Sequence, residues 1–119
     1  MKFLILTVLI LMCSQAVSAP PIFTDSQKNA KRISKDLDIP ILTIVSAEWC
    51  SPCQKIKKEI TEKQRLLDDI IVLQIDFDKN KQYIKVNNIT KIPVLIFKEK
   101  KYTGYAEAWG LISKIQSIK

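Results

Sequence analysis

Two cysteines separated by two residues, Cys50-Ser51-Pro52-Cys53, stand where an apolar run ends and a charged, helix-like stretch begins. Upstream, Ile41-Leu42-Thr43-Ile44-Val45 is a continuous β-branched and apolar run, the pattern of a strand buried on both faces. Downstream, Cys50 to about Gln64 reads as a helix, with Ile56 and Ile60 four apart facing inward among Lys55, Lys57, Lys58 and Glu59. Pro52 fits the first helical turn, where a missing N–H costs nothing. Folded into that turn, two intervening residues bring the sulfurs within disulfide distance. A thiol at the helix start meets unpaired N–H groups and the positive end of the dipole, which favour the thiolate that attacks disulfides.

Three other uses of such a pair are weaker. A structural bridge closing so short a loop restrains little of the unfolded chain. A metal clip needs two more ligands. The chain has no histidine, and its third cysteine is Cys13, so no metal site is expected. The same lack of histidine excludes Ser-His-Asp and Cys-His catalysis. Two inert thiols would have no need of a strand-to-helix junction. A redox pair is the expectation, with no cofactor beyond the two cysteines.

The remaining pattern suits one domain, since 119 residues with 47% hydrophobic content fill a single core. Asp25 or Ser26 can cap a helix running to Leu37, with Ala30, Ile33 and Leu37 on its inner face and Pro40 beyond its end. Ile70 to Ile75 reads as a second buried strand, leading into Asp76-Phe77-Asp78. Asn80 to Val86 reads as a short helix closed by the turn formers Asn87-Asn88. Val94 to Phe97 and Tyr102 to Ala106 flank Glu99-Lys100-Lys101 as a hairpin, and Trp109 to Ile118 closes the chain as a helix with Ile112 and Ile115 inward. The sum is an α/β layered domain with a mixed central sheet flanked by helices.

Residues 1–19 carry a different signal. Lys2 precedes an apolar run from Phe3 to Cys13, followed by the small and polar Ser14 to Ala19. That is the arrangement of a secretory signal peptide, leaving residues 20–119 as the domain; Pro20 disfavours a cut after Ala19, so a cut after Ala16 is the alternative. The run is roughly half the ~20 apolar residues a membrane span needs. Acylation of Cys13 would make a membrane-anchored lipoprotein, against which the bulky Met12 argues. Export, to the periplasm, puts the cysteine pair where disulfides persist. Without Lys2 the net charge falls from +7 to +6, spread along the chain with no aromatic-interleaved basic stripe, so no nucleic-acid partner is expected.

Ala47-Glu48-Trp49-Cys50-Ser51-Pro52-Cys53 resembles the active-site signature of thioredoxins, with Ser51 where that family usually has glycine. Ile92-Pro93, forty residues after Cys53, resembles the family's Ile/cis-Pro segment, and Asp76-Phe77-Asp78 its acidic stretch. The similarity runs from about Ile39 to Lys119. It implies a thioredoxin-like fold, with Cys50 as the attacking cysteine and Cys53 as the resolving one. It further implies that Pro93 lies in a cis peptide against the sulfurs, that Ile92 offers its backbone to a substrate strand, and that Trp49 forms a rim of the substrate groove.

The sequence departs from the family at two further positions and leaves another open. The buried aspartate that assists the resolving thiol is replaced by Ile44, and its lysine neighbour by Gln74. Glu48 is the nearest other acid in sequence, and it reads as solvated. The family's glycine after the hairpin could be Gly104 or Gly110. The expected function is an exported, monomeric thiol-disulfide oxidoreductase that reduces protein disulfides, supplied with electrons by a membrane partner. An oxidase or isomerase is the alternative within that chemistry, and a non-catalytic binding or assembly module the alternative outside it.

Overall fold

A computed structural model describes residues 18–119; most of the segment read as a signal peptide, including Cys13, lies outside the described residues. Five strands form one sheet: β1 (Ile22–Thr24), β2 (Ile41–Ser46), β3 (Ile71–Asp76), β4 (Val94–Phe97) and β5 (Lys100–Thr103). Their order across the sheet is β1-β3-β2-β4-β5. The pairs β1/β3 and β2/β3 are parallel, whereas β2/β4 and β4/β5 are antiparallel. The helices are α1 (Gln27–Leu37), α2 (Ser51–Glu62), α3 (Lys81–Val86) and α4 (Tyr105–Ile118). The mixed sheet expected from the sequence is the one observed.

Central strands read as unbroken apolar runs because both faces are covered. On one face Leu42, Ile44, Val72, Leu95 and Phe97 pack against Ile56 and Ile60 of α2 and Leu111, Ile112 and Ile115 of α4. On the other, Val45, Ile71, Leu73, Ile75 and Val94 meet Ala30 and Ile33 of α1 and Tyr83 and Ile84 of α3. Each fully buried isoleucine or leucine contributes about 1.5–3 kcal/mol relative to exposure. This double layer holds β2 and α2 rigidly, and so fixes the junction that carries the cysteines.

Several expectations shift at the element ends. The three-residue β1 was not foreseen; it is too short for a hydrophobic period, and Phe23 at its centre is exposed. Ser26 caps α1 by accepting the Asn29 N–H at 3.2 Å. Leu37, expected inside, is 58% exposed, because it is the last helical residue and the chain turns away at left-handed Asp38. The α2 helix ends at Glu62, and Gln64–Leu67 continues as a 3₁₀ turn that buries Leu67.

The hairpin is tighter than expected. Lys98 and Glu99 both take positive φ and form a two-residue turn, which lets Lys100 and Lys101 pair with Phe97 and Ile96. The second strand therefore ends at Thr103 instead of Ala106. Gly104, at φ 87°, breaks the strand, and α4 starts at Tyr105, four residues before Trp109. Glu107 holds that start by accepting the Thr103 N–H at 2.8 Å.

Candidate active site

Cys50 is the residue that caps α2. Its backbone is extended (φ −92°, ψ 106°), and its sulfur accepts the Cys53 N–H at 3.3 Å. Capping by sulfur places partial positive charge against Sγ, the physical requirement for a stabilised thiolate. Gln54 locks the approach to the helix, its side-chain amide donating to the Ala47 carbonyl at 2.9 Å. Cys50 and Cys53 form a disulfide with Cα atoms 5.2 Å apart. Cys50 is 5% exposed and Cys53 1%. Only Cys50 lines the surface groove, so the two sulfurs are unequal in access.

That groove, about 470 Å³, is walled by Trp49, Pro52, Phe77, Thr90, Lys91 and Ile92 around Cys50. The Ile92–Pro93 peptide is cis, and the Ile92 carbonyl oxygen lies 3.9 Å from Cys50 Sγ. Trp49 and Ile92 line this groove, Trp49 being 66% exposed at its rim, and Pro93 follows Ile92 through the cis bond. The Gly104 N–H donates to the Pro93 carbonyl at 2.8 Å, which makes Gly104, not Gly110, the glycine beside the proline.

Phe77 and Asp78 were visible in the sequence only as part of an acidic stretch, and their roles emerge from three dimensions. Asp78 Oδ2 accepts the Trp49 indole N–H at 2.8 Å, and the Phe77 ring meets Trp49 edge-on, with centroids 6.1 Å apart. Asp76 Oδ1 accepts the backbone N–H groups of Asp78 and Lys79, at 2.8 and 3.1 Å, and this Asx turn aims both side chains at the groove. Sequence spacing carries no sign that Asp78 meets a partner 29 residues away.

Strand β2, which leads into the cysteine turn, is buried from Leu42 to Ser46. Ile44 is 2% exposed and pairs in register with Gln74 on β3 and Leu95 on β4. Glu48 is exposed, as a solvated acid should be. Among the described residues, no group of three or more His, Cys, Asp or Glu is arranged to hold a metal ion.

The Thioredoxin family model matches residues 21–117. The chain is 34% identical over 84 residues to thioredoxin 1 of Nostoc sp., covering 69% of this chain and 77% of that one. It is 24% identical over 88 residues to thioredoxin C-3 of Corynebacterium nephridii, covering 74% of this chain and spanning only 61% of that relative's length. In structure it is similar to a poplar thioredoxin h, with a TM-score of 0.68 at 22% identity over 84% of this chain and 96% of that one. Trichomonas vaginalis thioredoxin gives a TM-score of 0.65 at 21% identity, over 86% and 100% of the two chains. At such identities these structures speak for the fold alone. The mixed sheet and the cysteine pair at the start of α2 define a thioredoxin-like protein with a Cys50–Cys53 disulfide. The chain belongs to the thioredoxin family.

Proposed function

We propose that the protein is exported and acts there as a reductant of protein disulfides. The observation that carries this reading is the Cys50 sulfur, which faces the groove and accepts the Cys53 N–H. In the reduced protein the Cys50 thiolate attacks a substrate disulfide, forming a mixed disulfide and releasing one substrate thiolate. Cys53 loses its proton and attacks Cys50 Sγ, which releases the second substrate thiolate and leaves the Cys50–Cys53 disulfide. Two electrons pass to the substrate, and the released thiolates take up two protons. With Ile44 standing where the family resemblance expects an acid, water is the proton acceptor for Cys53.

Ser51-Pro52 supports the reducing direction. No histidine stands between the cysteines to stabilise the thiolate further and make the disulfide strongly oxidising. Electrons are supplied by a membrane partner, and the protein works as a monomer. The N-terminal apolar run supports export. Ala19 donates its N–H to the Asp69 carboxylate and accepts the Asp69 N–H, both at 2.9 Å, which favours a cut after Ala16 that keeps Ala19 in the mature chain.

The test is the midpoint potential of the pair in glutathione buffers. A value near about −270 mV supports a reductant, and a value near about −120 mV assigns an oxidase. N-terminal sequencing of the exported protein checks processing: Val17 as first residue is expected, and an intact Met1 would refute export with cleavage.

A further inference from the structure

The groove beside the disulfide continues past Phe77 and Thr90. Both residues also border a second recess of about 370 Å³, whose remaining walls include Lys81, Ile84, Lys85 and Ile89. Lys81, Ile84 and Lys85 stand at i, i+3 and i+4 and therefore share one face of α3. Ile84 and Ile89 supply the apolar floor, held together by the Ile89 N–H donating to the Ile84 carbonyl at 3.0 Å. Ile89 is 6% exposed and Ile84 half-buried, whereas both lysines are exposed. Lys91, in the disulfide groove, adds a third cation. Against these stands Asp78, whose Oδ2 is engaged by the Trp49 indole.

We propose that this recess is a specificity subsite, which receives an apolar side chain flanked by acidic residues on the protein segment bearing the substrate cysteine. The proposal rests on the oxidoreductase reading above and adds the substrate class. An extended segment lying beside Ile92 advances about 3.3 Å per residue, so a position a few residues from its cysteine reaches past Phe77 and Thr90. Its apolar side chain covers Phe77, Ile84 and Ile89, and its carboxylates face Lys81, Lys85 and Lys91. Because the lysines are exposed, their contribution is steering and orientation, felt in the rate of attack and weakened by salt.

The test uses two synthetic peptides, each with one cysteine disulfide-linked to 5-thio-2-nitrobenzoate. One carries Glu-Leu-Glu segments on both sides of the cysteine, the other Lys-Leu-Lys. The fully reduced protein is mixed with each peptide, and release of the coloured thiol gives the rate constant. Each rate is divided by the same protein's rate with the small neutral hydroxyethyl disulfide. The acidic peptide should react roughly tenfold faster at low ionic strength, and the preference should collapse near 1 M salt. Lys81→Glu with Lys85→Glu should invert it. Equal rates for the two peptides, or a preference that survives the charge reversal, would overturn the subsite while leaving the oxidoreductase reading intact. Failure to reduce hydroxyethyl disulfide as well as both peptides would instead remove that reading, and the subsite with it.

Discussion

The backbone N–H of Cys53 points at the sulfur of Cys50 across 3.3 Å. The residue that resolves a mixed disulfide is thus also the donor that prepares its partner to form one. A single helical turn performs both tasks because Cys50 is the N-cap of α2 and Cys53 lies inside its first turn. The asymmetry between the two sulfurs is built into the backbone.

Alkylation should reveal that asymmetry. With the protein reduced, iodoacetamide near neutral pH should modify Cys50 roughly tenfold faster than Cys53, as peptide mapping by mass spectrometry would show. Equal labelling, or Cys53 first, would reverse the assigned roles.

Ile44, at the position where the family resemblance expects a buried acid, predicts slow resolution. Ile44→Asp places a carboxylate among Ile56, Ile60 and Leu95, at a cost on the order of a few kcal/mol and with its own pKa raised by burial. The variant should melt lower yet resolve mixed disulfides faster near neutral pH, as measured by stopped-flow reduction of a model disulfide. A folded variant that resolves no faster would mean that proton transfer at Cys53 is not limiting.

The hairpin turn should be improvable without touching the site. Lys98 at φ 50° and Glu99 at φ 67° occupy the left-handed region, which costs non-glycine residues about 1–2 kcal/mol each. Lys98→Asn combined with Glu99→Gly should raise stability by about 1 kcal/mol, or about 4–8 °C in melting temperature, while disulfide reduction is unchanged. A lower melting temperature would contradict the turn assignment.

Stability should decline on the alkaline side through Tyr105. Its hydroxyl donates to Glu59 Oε1 at 2.6 Å, and this bond, then burial and the carboxylate's charge, push the phenol above its ordinary 10.0. A raised folded-state pKa means the contribution is full below the unfolded value and lost as pH rises through the folded one. Between about pH 9 and pH 11 the wild type should therefore lose more stability than Tyr105→Phe in urea titrations. Tyr83, also pushed up by burial, has the same sign in both proteins and cancels in the comparison.

Legibility in the sequence followed the range of the interactions. Ile41–Val45, Ile70–Ile75 and the cysteine turn are local patterns, and they appear within one or two residues of where periodicity placed them. The hairpin turn begins one residue earlier than expected and is one residue shorter, because Lys98 and Glu99 carry none of the glycine or asparagine signal that marks positive φ. Trp49 was identifiable as a rim residue, but its clamp by Phe77 and Asp78 joins segments 28 and 29 residues apart and has no sequence period. The basic recess on α3 has no sequence period either: Lys81 and Lys85 line it together with Phe77 and Thr90, which come from other segments of the chain.

Catalysis by the Cys50–Cys53 cycle is read from the reduction of insulin by dithiothreitol, followed as turbidity. The wild type should bring precipitation forward well ahead of dithiothreitol alone. Cys50→Ser should abolish the acceleration, and Cys53→Ala should greatly weaken it, because dithiothreitol must then resolve the Cys50–insulin mixed disulfide in place of Cys53. A wild type no faster than dithiothreitol, or a Cys50→Ser variant as active as the wild type, would contradict the account.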